Sequence, residues 1–271
     1  MDDGSTDESI SVIEKYTHRH PELFFLYQNP NKGSNNARNF GFEKSSGEYI
    51  QWLDSDDEIL PGKLRAQIKS LRSTNAHIVY SDWKIRYYEE NALKREEVRY
   101  YQNYSDFLYQ LLKDNWTSPN NYLITRGMAK RLHELNAWNP ETKIGQDREY
   151  FTMAGLSGAI FTYQDGVFAI YNKQSTNSIS TLDFQRRLEE NQKLEGKFRE
   201  EILKSGIFNP KTKKSYIRVL NTHTVKACYY HSTISFPYYI SPLGIKWSMI
   251  HWKMRFVIPW ILLKKNFELL K

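Results

Sequence analysis

Along the first 85 residues the apolar positions switch between a helical and an extended period, and the switches fall at turn residues. Behind "STDE", Ile10, Ile13 and Tyr16 share one helical face, with Ser5 reading as N-cap and Glu8 as its capping-box partner. "ELFFLYQN" (22–29) predicts a buried strand, "GSNNARNFGFEKSSG" (33–47) a short helix closed by Gly47, and "EYIQWL" (48–53) another strand. "PGKLRAQIKSLRSTN" (61–75) predicts a helix with Pro61 near its start and Leu64, Ile68 and Leu71 turned inward; "HIVYSDWKI" (77–85) is the next strand. Such alternation predicts an α/β fold with a mostly parallel sheet, whose ligands bind beyond the carboxyl ends of the strands.

Residues 86–175 mix short helices and strands. "LDFQRRLEENQKLEGKFREEILKS" (182–205) is a long charged helix, whose plain reading is a solvated face. From Tyr238 the chain turns aromatic, apolar and basic: Lys246, Lys253, Arg255, Lys264, Lys265 and Lys271 oppose only Glu268, interleaved with Trp247, Trp252, Phe256 and Trp260. That composition suits a segment lying on an anionic membrane surface, and equally a terminal helix packed on the rest of the protein.

Composition narrows the classes. The chain has 271 residues, 40% of them hydrophobic and 25% charged, which describes a folded protein with room for one full core and an extension. A net charge of +7 favours an anionic partner. No nucleic-acid-binding module is present, and outside the tail the positive charge is diffuse, so nucleic acid ranks low. A single cysteine excludes an internal disulfide and a cysteine-cluster zinc site, pointing to a reducing compartment. The acidic N-terminus is not a signal peptide, and no apolar run approaches the ~20 residues of a spanning helix. A cytoplasmic protein is expected, peripheral at the inner face of the membrane if the tail binds there.

The densest chemical signal is "YIQWLDSDDEILP". Alternation along an extended segment would put Asp54 and Asp56 on one side, with Asp57 and Glu58 completing a negative patch. Carboxylates so close repel, and hard oxygen ligands of this kind suit Mn2+ or Mg2+, which also take phosphate oxygens from a substrate. A calcium loop starting at Asp54 would need Gly and Glu where Ile59 and Arg65 stand. A solvated acidic turn and a phosphohydrolase with an aspartyl nucleophile are the other readings.

Taken together, "DDGSTD" and "NKGSNNARNFGFEKSSGEYIQWLDSDDEILP" resemble, in order and spacing, the nucleotide-sugar half of family 2 glycosyltransferases of the GT-A (Rossmann-like) fold. The resemblance is clear over about the first 85 residues and thinner to about Ser180. It implies a GT-A domain over 1–180, with a nucleotide-sugar half (1–85) and an acceptor half (86–180), followed by a helical, basic C-terminal extension over 181–271. It implies that Asp2 or Asp3 contacts the base, that Gly33 lets the backbone approach the nucleotide and that Arg38 reaches it. Asp54 is then assigned to the ribose or sugar and Asp56, or its neighbour Asp57, to the metal. "KIGQDREYFTMAGLSG" resembles the segment that carries the catalytic base, giving Asp147 that role, with Gln146 where the family usually has Glu. A plain helix N-terminal acid is the alternative for Asp147.

Two departures stand out. "YNKQSTNSIS" has Lys173 and Gln174 where many relatives have a His, and the strand, helix and strand that normally precede "DDG" are missing, implying an N-terminally truncated GT-A fold. The function so implied is inverting, metal-dependent transfer from a nucleotide-sugar, by family habit a UDP-sugar, to a hydroxyl on a saccharide or lipid-linked acceptor in cell-envelope or exopolysaccharide synthesis. An inactive remnant of such an enzyme is the alternative, ahead of the phosphatase. Trp116 and Trp138 flank the acceptor region, either as sugar platforms or as core.

Overall fold

A long strand, β3 (Ile78–Glu89), is the axis of the sheet in this computed structural model, which describes residues 1–174 and 184–231. Along one edge it pairs in parallel with β6 (Phe161–Gln174) over nearly its whole length. Its other edge is shared: β5 (Leu123–Thr125) takes Ile78 and Val79, and β4 (Ala92–Arg99) takes the stretch from Trp83 onward, both antiparallel. Two short outer strands, β1 (Tyr49–Ile50) on β5 and β2 (Glu58–Ile59) on β6, complete a six-stranded sheet, again antiparallel.

The α/β class stands, but the sheet is mixed instead of mostly parallel. Among the described strands the parallel contacts are β3 with β6 and an isolated bridge between Asp2 and Gln28. The segment read as a buried strand, 22–29, supplies only that bridge, and Leu23, Phe24 and Phe25 are exposed. Parallel strands depend on neighbours and on cover over both faces, and here no described strand lies beside this one.

Eight α-helices are described, and several differ from the sequence reading in phase or start. The first, α1 (Ser9–Arg19), begins after Glu8, not at Ser5. The backbone N–H groups of Gly4 and Ser5 donate to the Asp2 carboxylate, and Asp7 accepts from Ser9, so a tight polar loop displaces the capping box. Next come α2 (Ser34–Lys44), which ends at Ser45 before Gly47, and α3 (Lys63–Ser73). In α3 Leu64 is exposed, and the buried face is Lys63, Gln67 and Leu71. A buried lysine is tolerated because its ammonium donates to Gln51, to Gln67 (2.6 Å) and to the Tyr122 carbonyl (3.2 Å), matching three acceptors to three hydrogens. Gln67 passes the network on to Ser81 and Asn121.

In the second half, α4 (Phe107–Leu112), α5 (Arg126–Glu134) and α6 (Gln146–Leu156) cover the sheet. The long charged helix, α7 (Phe184–Lys204), is more than a solvated face: Leu194, Glu195, Phe198 and Ile202 are buried. With α8 (Pro210–His231), it shares one apolar core with Ile78, Tyr80, Phe107, Leu111 and Phe151. The start of the proposed extension is therefore packed into the body of the fold. The basic aromatic tail from Tyr238 lies outside the described residues. Among the described residues no helix is long and apolar enough to cross a membrane.

Candidate active site

The acidic loop leaves the sheet after Trp52, which is buried against Trp138 and Tyr150. Asp54, Ser55, Asp56 and Asp57 are not extended: the Asp57 N–H donates to the Asp54 carbonyl at 3.1 Å, closing a turn that splits the acids three ways. Asp54 faces Arg38, its Oδ1 2.5 Å from Nη2. Asp56 is exposed at the tip. Asp57 turns inward, accepting from Ser118 Oγ (2.9 Å) and from the Asn172 N–H (3.0 Å). Burial, opposed by these bonds, pushes the Asp57 carboxyl up to about 7. Asn172 also donates from Nδ2 to the Asp56 carbonyl at 2.7 Å, so one residue of β6 holds the turn from both sides.

Arg38 projects from α2 across the face of Trp138, 4.4 Å from the ring centroid, and donates to Asn35 and to Gln146 Oε1 (3.3 Å) as well as to Asp54. Gln146 opens α6, whose start is set by Gly145 in the left-handed region (φ 73°). Its Oε1 also accepts from Ser34 at the start of α2 (3.0 Å), tying the two helix N-termini together. Asp147 stands next in the same turn, half-buried, with no hydrogen bond to its carboxylate among the described residues. Burial raises its pKa to about 6; the Arg38 charge opposes that shift and the Asp54 charge adds to it. Arg38 and Asp54 are in direct contact, and Asp147 follows Gln146, which Arg38 also bonds, close enough for both charges to act on its carboxyl.

The two residues after Asp147 are gripped by α7. Arg148, buried, lies 3.4 Å from Glu195, itself buried, and 3.4 Å from Asp114, and sits over Phe198. Glu149, fully buried, pairs with Lys197 at 2.5 Å. Leu194 packs so closely on Gly145 that a Cβ there would come within 3.1 Å of it.

At the N-terminus, Asp2 is fixed by backbone bonds to Tyr27 and Asn29, and its carboxylate, held below the usual range chiefly by the Ser5 hydrogen bond, closes the loop to Gly4 and Ser5. Asp3 reaches Asn29 Nδ2 (2.7 Å) and the Gly33 N–H (2.9 Å). Gly33, with φ 113°, is the N-cap of α2, so "DDG" and the glycine before "SNNAR" form one unit five residues from Arg38.

Of the acids assigned to a metal, the turn presents Asp56 outward, with Asp54 beside it, while Asp57 is occupied internally. Among the described residues no group of three or more His, Cys, Asp or Glu is arranged to hold a metal. One or two carboxylates still suit Mg2+ or Mn2+, which keep most of their coordination for water and phosphate oxygens. His133 is structural, packed on Phe42 and 3.5 Å from Glu43.

Comparison with known proteins settles the family. The family model described as Glycosyl transferase family 2 matches residues 1–136, half of the chain. The chain belongs to glycosyltransferase family 2. An uncharacterized glycosyltransferase of Haemophilus influenzae is 34% identical over 94 residues, 35% of this chain and 38% of that protein. The Campylobacter jejuni GalNAc(5)-diNAcBac-PP-undecaprenol beta-1,3-glucosyltransferase is 35% identical over 78 residues, 28% of this chain and 25% of its own length. The chain thus spans well under half the length of these relatives. Among solved structures, S. aureus TarS 1–349, determined in complex with UDP-GlcNAc, superposes with a TM-score of 0.61 at 18% identity, covering 91% of this chain and 66% of that one. That likeness establishes the GT-A fold. The family assignment also removes the aspartyl-nucleophile phosphatase reading.

Three features of this family 2 chain escaped sequence reasoning. Gln146 registered only as a replaced Glu, not as the bridge between two helix starts. Asn172 carried no signal, since its role is set by register against β2. Glu195 and Lys197 were hidden in a charged helix, where only the buried spacing of Leu194, Phe198 and Ile202 marked an inner face.

Proposed function

We propose that the chain transfers a sugar from a UDP-sugar to a hydroxyl acceptor with inversion, Asp147 acting as general base. The observation that carries this is the convergence of Arg38, Asp54 and Asp147. A base with a pKa of about 6 is mostly ionised at neutral pH yet still takes a proton readily. Asp147 accepts the acceptor hydroxyl's proton as that oxygen attacks the anomeric carbon from the face opposite the leaving diphosphate. Arg38 faces negative charge growing on the diphosphate, Asp54 orients both Arg38 and the ribose or sugar, and Asp3 with Gly33 shapes the base end. Mn2+ or Mg2+, when bound at Asp56, supplies Lewis-acid stabilisation of the leaving diphosphate.

A saccharide or lipid-linked acceptor in envelope polysaccharide synthesis is supported by the C. jejuni relative and by a Bacillus subtilis relative named for teichuronic acid biosynthesis. Attachment of the tail to an anionic membrane surface belongs to the same proposal; co-sedimentation with anionic against neutral liposomes tests it, and equal recovery would sink it.

The central test is calorimetry of UDP binding with Mn2+ and with chelator, alongside turnover of a UDP-sugar panel. Wild type is expected to bind UDP in a metal-dependent manner, Asp56→Ala to lose that dependence, and Asp147→Asn to bind UDP normally while losing turnover. Near-full turnover by Asp147→Asn would refute the base assignment. No UDP binding by the folded chain would refute the donor site and favour an inactive member of the family.

A further inference from the structure

The two tryptophans beside the cleft have different fates. Trp138 is core: it is 2% exposed, stacked on Tyr150 at 4.2 Å and covered by Arg38. Trp116 is 37% exposed, although it is anchored on several sides. Trp83 lies 5.9 Å behind it, Tyr171 meets it edge-on at 6.4 Å, and its carbonyl accepts from the Tyr101 hydroxyl at 2.8 Å. Two aromatic rings back the indole and the Tyr101 bond ties its main chain, while more than a third of the residue stays in water.

Its position is set by the acidic turn. Thr117 and Ser118 follow it directly, and Ser118 holds Asp57; Tyr171 precedes Asn172, which holds Asp57 and the Asp56 carbonyl. Both aromatic residues therefore stand within two positions of the groups that fix the metal loop. Burial first, and the charges of the nearby acids after it, push the Tyr171 phenol up to about 12.

We infer that Trp116, backed by Trp83 and Tyr171, is the stacking platform of the acceptor, and that the acceptor presents a pyranose ring there. A pyranose carries a face of polarised C–H groups that matches the negative face of an indole, whereas an alditol phosphate or a peptide side chain has no flat ring to cover it. The polar edges of the same sugar then reach the acids, where a hydroxyl can meet Asp147. This inference rests on the glycosyl-transfer reading and names its acceptor class. Trp116 is a specificity residue that would touch the acceptor and not the nucleotide.

The full chain labelled with 5-fluorotryptophan tests it, because the seven tryptophans give separable fluorine signals and Trp116→Phe identifies the one that matters. Methyl pyranosides of gluco, galacto and N-acetylated configuration are titrated, with glycerol phosphate and ribitol as acyclic controls. The expected result is a saturable shift of the Trp116 signal with at least one pyranoside and none with the acyclic probes. In Trp116→Ala, with binding followed at Trp83, affinity should fall about tenfold, while Trp116→Tyr should stay within about threefold. A Trp116 signal that ignores every pyranoside, or moves equally with ribitol, would overturn the inference. UDP calorimetry on the same sample separates the two readings: UDP binding with a silent Trp116 refutes the platform alone. A responsive Trp116 without UDP binding keeps the platform and refutes the donor site.

Discussion

Replacing Glu195 by leucine should loosen the helix that carries Asp147 without touching the cleft. The Arg148 and Glu195 side chains are 5% and 3% exposed, so the substitution leaves a buried guanidinium without its principal buried partner. Removing one member of a buried pair typically costs about 3–5 kcal/mol. Asp114, 3.4 Å from Arg148 and 41% exposed, keeps part of the compensation, which argues for the lower end, about 3 kcal/mol. For a fold of this size that corresponds to a fall in Tm of roughly 6–12 °C. Hydrogen exchange should rise first in residues 145–150, while α2 and UDP binding change little. The double variant Arg148→Met with Glu195→Leu should recover most of the loss, because the cost lies in the stranded charge and not in the missing attraction. A drop under about 3 °C for the single variant, or a double variant no better than the single, would refute the idea that this pair holds α6.

Other expectations are simpler to check. Turnover should climb as pH rises through about 6, as Asp147 loses its proton, and level off above; a profile flat from pH 5 to 8 would contradict the base assignment. Asp57→Asn should preserve metal-dependent UDP binding, since an amide can still accept from Asn172, whereas Asp56→Ala should abolish it. The same Asp57→Asn variant should change the pH dependence of stability. The folded protein holds a proton on Asp57 up to about 7, above the ordinary 3.8, so wild-type stability falls as pH rises from about 4 to 7, and the variant should be flatter there in urea titrations. Gly33→Ala, at φ 113°, should cost about 1–2 kcal/mol and weaken UDP binding by loosening Asp3; unchanged calorimetry and melting would argue that the Asp3 contact is dispensable.

The sequence made the alternation of elements and the chemistry-bearing motifs legible because each is local: strand, turn and acids in "YIQWLDSDDEILP", acid and helix start in "GQDRE". Arg38, Asp54 and Asp147 could be named one by one and the structure brings them together. What stayed hidden depended on distant partners. Lys63 and Gln67 looked like the polar side of α3 and face inward because Gln51, Tyr122 and Asn121 meet them there. "ELFFLYQN" has the composition of a core strand, but no described strand pairs along it. The split of the acids at 54, 56 and 57 follows from a single turn hydrogen bond and from Asn172, more than a hundred residues away.

Gln146 has a consequence for how charge is shared. Its carboxamide oxygen takes hydrogen bonds from Ser34 and Arg38 while adding no charge, so Asp54 remains the carboxylate in direct contact with the guanidinium. A carboxylate in its place would compete for Arg38 and press a second negative charge against Asp147. The neutral side chain thus lets two helices meet at their N-termini, where the backbone N–H groups favour anions, without a charge of its own; on the proposed mechanism that field is left to the substrate and the Asp147 carboxyl is spared a rise in its pKa.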